Sequence, residues 1–260
     1  MKRTLIPEIK KEHIYKLALR NCREDDRGLA DYRPLSFDVD VIGTAEGSAR
    51  LKLGKTDVLV GVKLQPGEPY PDKQGQGVLM TGCELKPMAH PGFEAGAPSD
   101  ESVEIARVVD RGIRESNMID MGDLCIEPGK KVWMVFLDIQ VLNYDGNLFD
   151  AATMACVLTL NNTTVPASRF GLGEDFPLPV TSWPITTTFV KIRDVMLADP
   201  TFSEEMSADA RFTVSMDENG HLRAMQKDLK GALTYDDVIR ALDLAHKLTV
   251  DIRSRLQTGE

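Results

Sequence analysis

The pattern of apolar and polar positions is dominated by Lys131 to Leu142, where KVWMVFLDIQVL reads as a long apolar strand. The strand turns through NYDGN into LFDAATMACVLTL, an apolar run long enough for a buried helix. Upstream, Leu35, Phe37, Val39 and Val41 alternate with Ser36, Asp38 and Asp40, predicting a half-buried strand. Ala49, Leu51 and Leu53 share one face of the next strand, GKTD (54–57) turns, and VLVGVKL (58–64) returns. A Pro- and Gly-rich loop over 65–77 precedes a further strand over 77–85.

Helical spacing appears three more times. Ile6, Ile9, Ile14 and Leu17 predict a helix over 5–22, with Pro7 in its first turn. Ser99 or Asp100 can cap a second helix, with Val103, Ala106, Val109 and Ile113 as its apolar face and Asp100, Glu101 and Glu104 favoured by the helix dipole. Thr234 and Asp237 form a capping box for a third, whose stripe is Val238, Leu242, Ala245, Leu248 and Ile252. Between the last two helices, a loop with four prolines (161–184) leads to a strand over 185–192, a short one at 195–197, and a hairpin turning at Asp217 to Gly220. The expected architecture is α+β, with a larger unit over 1–184 and a smaller strand-strand-helix unit over 185–260.

Composition narrows the functional classes. The 260 residues are 42% hydrophobic, which is enough for a full core. A net charge of −9 argues against non-specific coating of nucleic acid, so any such contact must be a local basic patch. Cys22, Cys83, Cys125 and Cys156 lie far apart with no metal-ligand spacing, as suits buried thiols in a reducing cytoplasm. The longest apolar run, 132–137, is too short to cross a bilayer, and the N-terminus has no apolar signal core; a cytoplasmic protein without membrane contact is expected.

Two stretches carry candidate chemistry. A Gly turn that opens a helix points free N–H groups at an anion, yet Asp145-Gly146-Asn147 is followed by Leu148, Phe149 and Asp150, which bring no cation. On the second helix Arg107, Arg111 and Arg114 fall at i, i+4 and i+7 on one stripe, by default a solvated surface, with Asp110 and Glu115 as possible partners. Glu204, Glu205 and Asp209 read either as a solvated acidic face or as a carboxylate metal site, the former being the ordinary case.

REDDR (23–27), TAEGSARLKLGKTDVLVGV (44–62), ESVEIARVVDRGIRES and LNYDGNLFDAATMA together resemble the RNase PH family of phosphorolytic ribonucleases, in order and spacing, over nearly the whole chain. The resemblance implies the RNase PH fold, with a first unit like domain 2 of ribosomal protein S5. It also implies degradation of RNA from the 3′ end by attack of inorganic phosphate. Active members carry Gly-Gly-Thr/Ser-Arg at the central turn, where this chain has Leu148 and Phe149. An arginine that opens the second helix in those members corresponds here to the region of Glu101, and their aspartate pair to Glu205 and Arg211. Losing one phosphate-holding arginine costs ~10²-fold or more in rate, so four such changes imply a chain with no catalytic residues of its own.

VVDRGIRES and DARFTVSMDENGHLRAMQK resemble more narrowly the non-catalytic RNase PH-like subunits of the archaeal exosome. That implies a partner, the catalytic RNase PH-like subunit, in a ring formed as a trimer of heterodimers, with RNA-binding cap subunits above it. It further implies single-stranded RNA held by Arg107 and Arg111, with Arg114 as a third candidate, and no metal or cofactor. The competing expectations are an independently active phosphorolytic exoribonuclease or RNA nucleotidyltransferase, and a free-standing RNA-binding module. The latter is disfavoured by 6% aromatic residues, none interleaved with the arginines.

Overall fold

In the computed structural model, residues 8–259 are described. The alternating segments form a first sheet of β1 (Leu35–Val39), β2 (Gly47–Leu53), β3 (Thr56–Gly67), β4 (Val78–Leu85), β5 (Cys125–Glu127) and β6 (Lys131–Asn143). Its order is β1-β2-β3-β6-β4, with β5 added to β6. Only the β4/β6 pair is parallel, which requires the crossover that holds helix α2 (Asp100–Glu115). Odd-numbered residues of β6 from Trp133 to Val141 are buried, as their period dictates.

Helix α3 (Leu148–Asn161) is buried on every side from Leu148 to Leu160. The reason is its position between two sheets, the second comprising β9 (Ile185–Ile192), β10 (Val195–Ala198), β11 (Ala210–Met216) and β12 (Leu222–Asp228) in the order β10-β9-β11-β12. It packs on β2 and β3 of the first sheet and β9 of the second, while α2 touches β4, α3 and β12. Gly112 lets α2 come close to β11, because a Cβ there would stand 3.2 Å from Ser215 Oγ. The last helix, α5 (Tyr235–Thr258), covers the other face of β9 and β11 and begins at the expected Thr234/Asp237 capping box.

Several expectations change once both sheets are in place. The smaller unit holds the expected strands as one four-stranded sheet with α5, and adds a short helix, α4 (Phe202–Ser207), that the sequence did not signal. The 161–184 segment holds two short strands, β7 (Thr164–Val165) and β8 (Phe176–Pro177). The first helix, α1 (Glu8–Leu19), buries Ile14 and Ala18 against Val190, Ile192 and Leu197, but Ile9 is exposed. Ile6 and Pro7 lie outside the described residues. In β1 the alternation is weaker than its sequence, since Val39 at an outer strand is exposed. Val103 is exposed too, because α2 buries Ile105 and Val108 as well as Ala106, Val109 and Ile113 between its two neighbours.

Candidate functional site

The turn Asp145-Gly146-Asn147 ends β6 at the junction of the two sheets. Gly146 has φ +89°, and a Cβ on it would lie 2.5 Å from the Pro200 carbonyl oxygen and the Phe202 nitrogen, so only glycine fits. Asn147 adopts the left-handed conformation that opens α3. Arg33 donates to the carbonyls of Asp145 at 2.8 Å and Gly146 at 3.2 Å, and Thr56 Oγ1 donates to Gly146 at 2.7 Å. The turn is therefore clamped on both flanks before any ligand is considered.

The anion at this helix start is a side chain. The Asn147 backbone N–H donates to Glu205 Oε1 at 3.0 Å, and Tyr144 Oη donates to the other oxygen, Oε2, at 2.6 Å. Glu205 thus sits where a helix N-terminus would otherwise attract an external anion. Leu148 and Phe149 behind it are buried, and the Phe149 ring carries the Arg211 guanidinium at 4.4 Å. Arg211 in turn is held by Asp228 at 2.7 Å, Glu104 at 3.7 Å and Glu205 at 3.9 Å.

Glu104, Glu205, Arg211 and Asp228 line a cleft of about 250 Å³ with Asp100, Glu101 and Tyr144. Five carboxylates, those of Asp100, Glu101, Glu104, Glu205 and Asp228, face one guanidinium. Burial raises the pKa of Glu101 and Glu104, which is the expected response to removing a carboxylate from water. Positions 149, 205 and 211, far apart in sequence, meet through the Arg211 guanidinium at the edge of this cleft.

Beneath the cleft lies a buried charge network. Asp199 receives Arg33 at 2.7 and 2.9 Å, Arg27 at 2.9 Å and Asn147 Nδ2 at 2.7 Å. Burial pushes its carboxyl up, yet the hydrogen bonds and charge of Arg33 outweigh this and hold it below the usual value. Arg23, 3% exposed, forms a two-pronged pair with Glu204 and also donates to the Ala198 carbonyl. REDDR is therefore a tie between the N-terminal segment and the 198–205 stretch.

The acidic run is consequently not a solvated face: Glu204 and Glu205 are buried and spoken for, while Asp209 accepts from the Arg193 N–H. They turn to different partners, and among the described residues no group of three or more His, Cys, Asp or Glu is placed to hold a metal ion.

Asp150 is completely buried and accepts from Tyr32 Oη, Asn147 Nδ2, Thr188 N and Thr188 Oγ1. Burial pushes its carboxyl up to about 7, despite those donors. Because the folded value lies above the ordinary 3.8, the folded state keeps a proton that the unfolded chain releases. Its contribution to stability is full below about 4 and is lost as pH rises through about 7. In urea unfolding the native chain should therefore lose stability relative to Asp150→Asn as pH rises from about 4 to about 7. A difference that stays constant from about pH 4 to about pH 7 would show the carboxyl to be ionised throughout.

The arginines of α2 prove unequal. Arg107 is exposed, and its side chain makes no hydrogen bond or ion pair with any described residue. Arg111 is exposed and donates to Gln226 Oε1 at 2.7 Å. Arg114 is engaged by Asp110 at 2.9 and 3.1 Å, the i, i+4 pairing its spacing allowed, which raises its pKa and leaves it less free. Gln226 and the Arg33/Asp199 network carry no local sequence signal, because each contact spans more than a hundred residues.

Two sheets enclosing α2 and α3, with a glycine turn opening α3 at their junction, define the class: a two-domain RNase PH-type protein. The chain belongs to the 3′ exoribonuclease family, whose domain 1 matches residues 31–166 and whose domain 2 matches residues 182–247. It is 46% identical over 257 residues to the exosome complex component Rrp42 of Methanocella arvoryzae, covering 99% of each chain. It is 49% identical over 251 residues to that of Thermoplasma volcanium, covering 96% of each. Among solved structures, a chain of the Archaeoglobus fulgidus exosome with RNA bound to the active site superposes with a TM-score of 0.93 at 44% identity, over 95% of this chain and 98% of that one.

Proposed function

We propose that the chain is a non-catalytic subunit of a ring-shaped, phosphate-dependent 3′-to-5′ exoribonuclease, an exosome, and that it acts in RNA degradation and processing. Its relatives are named as exosome components, and a similar solved chain comes from an exosome with RNA in its active site. The observation that carries the reading is the carboxylate-lined cleft. The position at which the RNase PH resemblance expects phosphate holds Glu205, and the one guanidinium there is consumed by Asp228, Glu104 and Glu205. An attacking phosphate would meet repulsion where catalysis needs preorganised positive charge.

The partner in this reading is the catalytic RNase PH-like subunit, three pairs closing the ring in the cytoplasm, with RNA-binding cap subunits on one face. The two units divide at 184/185, with 1–184 as the first domain and 185–260 as the second. Single-stranded RNA is held by the phosphate-facing arginines Arg107 and Arg111. Arg114, paired with Asp110, is the weakest of the three candidates. No helix among the described residues is long and apolar enough to cross a membrane.

The purified chain incubated with single-stranded RNA and inorganic phosphate should release no nucleoside diphosphate, whereas the chain mixed with its catalytic partner should. Phosphorolysis by the chain alone at a rate comparable to the mixture would replace this reading with that of an independent enzyme.

A further inference from the structure

Resting on the RNA-binding role given to Arg111, we infer that Gln226 is its positioning residue, an amide strut from the second sheet that aims the guanidinium before RNA arrives. Gln226 lies on β12, against which α2 packs. Its Oε1 accepts from Arg111 Nη2 at 2.7 Å, and its Nε2 donates to Glu104 Oε1 at 3.4 Å. Glu104 and Arg111 stand seven residues apart on α2, two turns on the same face, so one amide spans both.

The chemistry of the three groups leaves the amide a single satisfying orientation. A carboxylate only accepts and a guanidinium only donates, so the nitrogen must face Glu104 and the oxygen must face Arg111. Glutamate at 226 would repel Glu104, and an apolar side chain would leave Arg111 with only the 3.4 Å bond from its Nε to the Arg107 carbonyl. An exposed arginine otherwise loses much rotamer freedom on capturing a phosphate, and holding it beforehand removes part of that cost. Among the described residues Arg107 has no such strut, so Arg107 and Arg111 should behave differently.

The test uses the complex reconstituted with the catalytic partner and a labelled single-stranded oligoadenylate, with affinity followed across a salt titration. Gln226→Ala should weaken binding about fivefold, as expected for one lost preorganising hydrogen bond, with the salt slope unchanged because the guanidinium charge remains. Gln226→Glu should weaken binding further and lower the slope by about 0.7 per site, since its carboxylate neutralises Arg111. In an Arg111→Ala background, Gln226→Ala should do nothing more.

Equal or tighter binding by Gln226→Ala, or the same loss in the Arg111→Ala background, would overturn the positioning role. If Arg111→Ala itself binds RNA as the native complex does, the RNA-binding role of Arg111 fails instead, and the two failures are thereby told apart.

Discussion

Replacing Arg107 and Arg111 together by glutamate in the reconstituted complex should lower affinity for single-stranded RNA by on the order of 10²-fold and slow degradation in proportion. Both side chains are exposed, so the substitution leaves the buried contacts of α2 intact and assembly should persist. Removing two phosphate contacts per chain should also flatten the salt dependence by about 1.4, the signature of lost counterion release. The Arg114→Glu variant should have a smaller effect on RNA, because that guanidinium is engaged by Asp110. Unchanged affinity in the double variant, with the ring intact by gel filtration, would end the assignment.

The largest effect on stability is expected at Asp199. It is fully buried and satisfies Arg27, Arg33 and Asn147; Asp199→Ala would strand the Arg33 guanidinium in the interior, while Arg27 keeps Asp25. Removing one partner of a buried ion pair costs about 3–5 kcal/mol. For a chain of this size that is a fall of roughly 6 to 20 °C in Tm, readable by calorimetry. The loss should reach the central turn, because the same Arg33 holds the carbonyls of Asp145 and Gly146. A Tm within about 2 °C of the native value would mean that the network contributes little beyond its own desolvation cost.

Relations between residues close in sequence needed nothing beyond the sequence itself. The period of β2, the Ser99 cap of α2 and the Thr234/Asp237 box of α5 each join groups a few residues apart, where backbone geometry alone fixes who meets whom. The absence of a cation after Gly146 was visible for the same reason, since the first turn of a helix is a local object. The family was legible because several such local patterns recur in a fixed order.

Which charges are satisfied, and by whom, was decided only in three dimensions. The acids at 204 and 205 read as a solvated run, yet one holds Arg23 and the other caps the opening of α3, at separations of 181 and 58 residues. Val103 fits the apolar period of α2 but faces solvent, because that helix lies between two neighbours and its buried arc is set by both. Likewise three arginines on one stripe become one without a partner among the described residues, one braced by Gln226 and one paired with Asp110. Electrostatic partners are chosen by distance and dielectric in the packed state, quantities that no linear pattern contains.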